Sequence, residues 1–353
     1  MTIIYFLLLL SVIITIHEAG HLLAAKKFNV YCYEFSFGMG PLLWQKKTKE
    51  TKYSVRAIPI GGYVSMAGET DADELYPDVK VPDERRLINR PWWQRIIILL
   101  AGVTMNFLLA WLIFSIVYLS QGVYTESPPA VVGSVRENSP AERAGFEPGD
   151  IILEIRKDDG DSVRPKTFMD MQTFYIDDTE VATYVIERNG QQLELQVTPE
   201  FNEEQQTYLI GITSGDVVVK EVNLINCWYY GAREMKDITS LMIRTITNLF
   251  RGIGLNQLSG PVGIYQATET YASFGLLSLL FLMAQLSLNV GIFNLLPLPV
   301  LDGGQVVITL AEVITGKKMN EKVKIGLFLV CWIALISLML FATWNDIARI
   351  FGS

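Results

Sequence analysis

Four stretches of this chain are too long and too apolar to be ordinary core helices. Residues 3–25, 96–119, 274–296 and 325–343 carry one charged side chain among them, Glu18. A helix rises about 1.5 Å per residue, so each stretch can cross a hydrocarbon layer of about 30 Å. The composition agrees, at 50% hydrophobic and 19% charged, whereas soluble domains carry about 25% charge. The net charge of −8 argues against a nucleic-acid partner, which calls for a basic face. Lys26-Lys27 follow the first stretch and no Lys or Arg precedes it, a poor pattern for a cleaved leader.

Charge then orients the spans. Residues 26–95 hold 12 Lys/Arg and 9 Asp/Glu, while residues 122–273 hold 12 against 23. The connection before the fourth span carries Lys317, Lys318, Lys322 and Lys324. The positive-inside rule places the first and third connections in the cytoplasm, and both termini and the long acidic connection outside. The expected architecture is a polytopic membrane protein, mainly α. It has four transmembrane helices, a small membrane-associated β region and an extracytoplasmic α+β domain. The expected boundaries are 1–27 for the first span, 28–68 for the β region and 69–90 for a cytoplasmic loop. They continue with 91–121 for the second span, 122–203 for the outer domain and 204–258 for a linker with an amphipathic helix. The third span with Asp302-Gly303 takes 259–304, a cytoplasmic loop 305–324, and the fourth span with the C-terminus 325–353.

Local patterns fill in the two connections. Residues 30–37 and 52–58 alternate at period two, punctuated by Gly38, Gly40 and Gly61-Gly62, which predicts short strands. Their edge is either open to pairing with an added extended strand or part of a plain hairpin packed on the helices. In the outer domain, Asn189-Gly190 predicts a hairpin turn between strands at 181–186 and 193–197. The run Ser139-Pro140 to Gly145 predicts a short capped helix. Trp228, Met235, Ile238, Met242, Ile246, Leu249 and Ile253 recur at helical spacing. That helix packs either on the outer domain or on the membrane surface.

The chain has two histidines, His17 and His21. On a helix they share one face, with Glu18 beside them. Neutral imidazoles suit Zn²⁺, whose catalytic sites use three protein ligands and one open position, and Glu18 is placed to exchange a proton with water. The pattern alone is modestly specific, but ionisable residues within an apolar span are functional by default. A third ligand cannot be a histidine, so carboxylates at matching depth are the candidates. Asp302 follows the third span, which enters from the same side as the first, and so reaches the depth of His17 and His21. Pro297 and Pro299 break the helix before it, which is tolerated at that depth only against protein or water.

The His17-Glu18-Ala19-Gly20-His21 cluster and Asn294-Leu295-Leu296-Pro297-Leu298-Pro299-Val300-Leu301-Asp302-Gly303 together resemble the site-2 protease family of intramembrane zinc metalloproteases. The likeness is greatest to its bacterial RseP-type branch. Gly38-x-Gly40-Pro41, Ile58 to Val64, Ala101 to Asn106 and Leu258 to Ile264 extend it, and residues 138–152 resemble a PDZ domain. The resemblance implies Zn²⁺ held by His17, His21 and Asp302, with Glu18 as catalytic acid–base. It implies substrate handling by Asn294 and Pro297, and less directly by Asn289. The implied substrates are single-span membrane proteins such as anti-sigma factors, and remnant signal peptides; the ligand of the PDZ-like domain stays open. There is room for one such domain, where the best-known members have two. Two other classes compete with the protease reading. A membrane scaffold would not need an intact Glu18, and a metal transporter would be expected to have paired, similarly broken halves.

Overall fold

The structure, a computed structural model, describes residues 2–69, 72–158, 160–174, 181–202, 207–251, 255 and 258–351. The chain forms two compact units: one of residues 1–117, 227–242 and 256–353, the other of residues 118–226 and 243–255. Helix α1 (Thr2–Lys27) leads into strands β1 (Cys32–Lys47) and β2 (Lys52–Met66), a short helix α2 (Ala72–Leu75) and helix α3 (Trp92–Gln121). The glycines expected to punctuate the β region bend the strands without ending them. Gly38, Gly40 and Gly61 adopt φ of 81°, 81° and 87°, conformations open to glycine, and the ladder slips register around them. As a result, residues 34–37 are paired on both sides. Phe35 lies opposite Val64 and also opposite Tyr53; Phe37 lies opposite Gly62 and also Val55. Ser11 of α1 donates to the carbonyl of Pro59, tying β2 to the helix.

The expected loop at 69–90 is ordered by packing against this sheet. Tyr76 stacks on Tyr33 at 4.8 Å, and the Leu87 N–H donates to Ala67 O at 2.7 Å. Glu34 is buried, 2% exposed, and accepts from Arg56 at 2.8 Å and from Tyr76 Oη at 2.5 Å. Burial alone would raise its carboxyl, but hydrogen bonds from Ser54, Tyr76 and Arg56 outweigh that and hold it below the usual carboxylate range.

The second unit is β-rich. Its elements are β3 (Val123–Glu126), β4 (Val132–Val135), α4 (Pro140–Ala144), β5 (Ile151–Lys157), β6 (Ser162–Val163) and α5 (Phe168–Phe174). They continue as β7 (Ala182–Arg188), β8 (Gln191–Val197), β9 (Glu200–Asn202), β10 (Thr207–Leu209), β11 (Ile212–Ser214) and β12 (Val218–Glu221). The largest sheet has the order β6-β5-β7-β8, and its inward side chains Ile152, Ile155, Tyr184 and Ile186 form one core with Val132, Ala141 and Phe146. Two expected local features are present. Asn189 and Gly190 turn the β7–β8 hairpin with φ of 54° and 79°, and Ser139 caps α4, which Gly145 ends in the left-handed region. Asp150, 1% exposed, accepts from Arg188 twice at 2.7 Å.

Helix α6 (Cys227–Phe250) follows the expected apolar stripe; Ile253 lies outside the described residues. Within the first unit, Gly231 meets Ser115 of α3 so closely that a Cβ would stand 2.3 Å from its Oγ. Within the second, Arg244 pairs with Asp170 at 2.5 Å. These contacts favour packing on protein over lying free on a membrane surface. Two helices then go beyond the expected pattern. Helix α7 (Pro261–Ser273) precedes α8 (Leu276–Asn294), and α9 (Asp302–Thr315) occupies much of the expected 305–324 loop before α10 (Glu321–Phe351). No local side chain caps α7. Instead, Asp346 of α10 accepts from the N–H groups of Gly260 and Gly263, both at 2.8 Å, placing a carboxylate where the helix dipole favours one. Leu9 of α1 and Leu279 and Leu282 of α8 form a further core with Ala267 and Tyr271 of α7.

Among the described residues, four helices, α1, α3, α8 and most of α10, are long and apolar enough to cross a membrane. Much of α10 exposes large apolar side chains, among them Ile325, Leu329 and Ile333. Such a face suits a hydrocarbon solvent better than water.

The Glu34 cluster gives a stability prediction. Glu34→Leu leaves Arg56 half-buried without its carboxylate and should cost about 3 kcal/mol. Glu50→Ala, which removes an exposed pair with Arg85, should cost under about 1 kcal/mol. Denaturant midpoints of the detergent-solubilised variants check this, and equal losses would contradict it.

Candidate metal centre

Helix α1 carries His17, Glu18 and His21 on a single turn, and its approach to α3 decides what they meet. At Gly20 the two backbones come so close that a Cβ would stand 2.4 Å from Ala101 O. Across the contact, a Cβ at Gly102 would stand 2.4 Å from His21 Nε2 and 2.8 Å from His17 Cε1. Glycine at both positions therefore lets two helices pack closely while leaving room for two imidazoles, the use that small residues serve between apolar helices.

Asp302 arrives from the other end of the unit's sequence. It opens α9 after the turn that follows α8, and Gly303 and Gly304 let that turn fold back. A Cβ on them would stand 2.2 Å from Leu295 O and 2.0 Å from Leu298 O. The Leu301 N–H donates to Leu298 O at 2.8 Å, and the Gln305 side chain donates to Pro299 O at 2.5 Å. This is more than the ordinary Asp-Gly turn that the sequence alone allows, because the glycines are required by backbone contact.

The three side chains meet. His17 Nε2 lies 3.1 Å and His21 Nε2 lies 3.5 Å from Asp302 Oδ2, and the two Nε2 atoms are 3.2 Å apart. Four-coordinate zinc with bonds of about 2.0–2.1 Å sets its ligands about 3.3–3.4 Å apart. The spacing and the donor set of two imidazoles and a carboxylate fit that ion. Both histidines are buried, at 7% and 6% exposure, so water does little to offset the crowding of three donor atoms. Among the described residues this is the one group of three or more His, Cys, Asp or Glu side chains able to share a metal ion.

Other groups hold the site from behind. His21 Nδ1 is 2.8 Å from Ile98 O, which fixes Nδ1 as the protonated nitrogen and leaves Nε2 free to ligate. His17 Nδ1 faces the Asn106 amide at 3.2 Å. Glu18 does not point into the triangle. Its Oε2 accepts from the Val64 N–H at 3.1 Å, so β2 turns a backbone donor away from β1 and towards this carboxylate. The next outward N–H, of Met66, is taken by Glu69 at 3.0 Å. Ile98, Asn106 and Val64 were not among the residues singled out from sequence as site residues. For Asn106, a buried amide in an apolar span was a usable signal; for the two backbone groups there was none.

Asn294 is the last residue of α8 and is half-buried, as is Asn289. Pro297 lies exposed in the turn between α8 and α9. Among the described residues, neither asparagine hydrogen-bonds to His17, Glu18, His21 or Asp302.

Comparison with known proteins agrees with the site's chemistry. The profile of Peptidase family M50 matches residues 5–338. The Regulator of sigma-W protease RasP of Bacillus subtilis is 31% identical, with 99% of each chain covered. Zinc metalloprotease RasP of Shouchella clausii is 30% identical over 99% of this chain and 100% of its own. With a family match across most of its length and relatives aligned from end to end, this chain belongs to peptidase family M50, the site-2 proteases, and is a zinc metalloprotease.

Proposed function

We propose that this enzyme hydrolyses peptide bonds in the membrane-spanning segments of single-span membrane proteins, anti-sigma factors and remnant signal peptides among them. In this reading His17, His21 and Asp302 are the zinc ligands and Glu18 is the acid–base. The observation that carries it is the convergence of three ligand atoms within 3.5 Å of one another beside Glu18, in a unit that contains all four membrane-length helices. The name of the Bacillus subtilis relative, a regulator of sigma-W, favours membrane-bound regulators as substrates.

The bound ion would supply Lewis-acid polarisation of the attacking water and the scissile carbonyl. The protein's own part is proton transfer. Glu18 takes the proton as the water oxygen adds to the carbonyl carbon, and returns it to the leaving nitrogen as the C–N bond breaks. A helical peptide bond is tied into its own ladder, so the substrate must unwind first. The edge of β2 beside Glu18 would take an extended strand once its Val64 N–H, which donates to Glu18 at 3.1 Å, is released by that carboxylate. A strand paired there brings its backbone to the acid–base group. This favours docking over the plain-hairpin alternative. Asn294 and Pro297, with Asn289 in a lesser part, would handle the substrate from the end of α8, where the chain leaves its helix. Residues 138–152 keep their likeness to a PDZ domain, a module that would choose among substrates by a ligand of its own.

The decisive experiment compares Glu18→Gln with wild type on a single-span substrate in detergent. Zinc content should stay near one per chain while turnover falls at least about 100-fold. His17→Ala/His21→Ala should lose the zinc itself. Cleavage by Glu18→Gln at the wild-type rate would end the proposal.

Gly102→Ala tests the cradle. Alanine is the better helix former by about 1 kcal/mol, yet its methyl would strike both imidazoles. Helix content should hold while zinc affinity drops, as read by competition with a chromophoric chelator. Unchanged affinity would show that the imidazoles are not held where the proposal needs them.

Orientation is the remaining part: the connections near residues 75 and 320 inside the cell, the one near 160 outside. In a background with Cys32, Cys227 and Cys331 replaced, single cysteines at exposed positions near 160 should react with an impermeant thiol reagent on intact cells. Those near 75 and 320 should not, and the reverse pattern would invert the topology.

A further inference from the structure

Asn106 sits in the middle of α3, fully buried, with its side chain against the Nδ1 side of His17. Its backbone carbonyl accepts from Ser287 Oγ of α8 at 3.0 Å. Its side-chain nitrogen is 3.2 Å from His17 Nδ1, while its side-chain oxygen is buried without a hydrogen-bond partner. An amide placed this way donates to Nδ1. The hydrogen of the neutral imidazole then lies on Nε2, 3.1 Å from Asp302 Oδ2.

That tautomer is the wrong one for a metal ligand. A nitrogen that binds an ion must present its lone pair, so the hydrogen moves to Nδ1 and needs an acceptor there. His21 has a fixed one in Ile98 O. His17 has only the Asn106 amide, which offers a donor on one side and an unused acceptor on the other.

We propose that Asn106 is a positioning residue for His17. Its amide rotates by half a turn about Cβ–Cγ so that Oδ1 accepts from His17 Nδ1–H whenever Nε2 serves as a ligand. The inference rests on the ligand assignment proposed above. An amide suits both tautomers, which explains an otherwise costly buried asparagine within an apolar span.

The test measures zinc affinity of the full-length protein in detergent by chelator competition, with the visible spectrum of the Co²⁺-substituted protein as a second readout. Asn106→Leu removes the acceptor and should weaken zinc binding 10–100-fold, roughly the cost of losing an outer-shell partner. It should also shift the Co²⁺ bands. Asn106→Ala, which cannot clash, repeats the test if the leucine variant does not fold. Asn106→Asp keeps an acceptor oxygen and should retain affinity and spectrum. Wild-type affinity in the leucine or alanine variant would overturn the proposal. So would an aspartate variant that unfolds like wild type but loses zinc as the alanine variant does, since a purely structural asparagine predicts that result. If wild type binds zinc in a manner independent of His17 and His21, the ligand assignment fails and takes this inference with it.

Discussion

The close contact of α1 with α3 is the constraint on which the rest of the site depends. At ordinary helix separation, His17 and His21 would have to reach across a gap to find Ile98 and Asn106. Gly20 removes the side chain that would hold the backbones apart, and Gly102 removes the one that would fill the space between them. Two missing methyl groups thus do what no attractive interaction does alone. They bring a turn of polar side chains against a second helix closely enough for its backbone carbonyl and buried amide to become hydrogen-bond partners. Between apolar helices there is little hydrophobic drive in lipid, so shape has to supply the contact.

Burying two imidazoles and two carboxylates among apolar helices is costly unless each polar atom has a partner. The fold meets this with groups of known direction. Ile98 O takes His21 Nδ1, the Asn106 amide faces His17 Nδ1, and the Val64 N–H takes Glu18. That last contact links the helical and β parts of the unit. The β region has a long excursion with glycines in the left-handed region, bent so that residues 62–66 pass α1 with donors facing outward. The network of Glu34, Arg56 and Tyr76 holds β1, whose Glu34 lies opposite Ser65, in the same sheet. Buried polar contacts thus fix the sheet from within and tie it to α1 through Glu18.

The parts of this architecture governed by long-period patterns were legible in the sequence. The four membrane-length helices follow from runs of apolar residues; the first three lie within four residues of their expected limits, and the fourth extends eight residues further at its C-terminal end. The i, i+4 spacing of His17 and His21 marked the centre. Depth alone brought Asp302 into consideration, and the structure places it within 3.5 Å of both histidines. Local turn chemistry also carried through, at Asn189-Gly190 and at Ser139. Residues 305–324 were expected to form a loop, whereas a helix runs over Asp302–Thr315 and starts on two glycines. Those glycines answer to Leu295 O and Leu298 O, contacts that no local pattern records. Helix α7 was hidden for a similar reason, since its N-terminal cap comes from Asp346, more than 80 residues away in sequence. Asn106 obeyed the rule that flagged His17, that of a polar residue inside an apolar span, but a neutral amide is a weaker signal than a charge.

Hydrolysis beside a membrane needs rigidity at the metal and adaptability at the substrate, and the unit separates the two. Both histidines lie on α1, which packs closely on α3 with glycine, the smallest choice, at both contacts. On the function proposed above, an unwound segment pairs along the strand edge beside Glu18 through its main chain, a source of affinity that depends little on sequence. Such an enzyme can accept many sequences, provided that the segment leaves its helix. Selectivity must then come from that unwinding and from features that choose which chains arrive. An easily unwound segment gives up less ladder energy on docking, so glycine or proline near the cut favours it, each weakening a helix by about 1 and 3 kcal/mol.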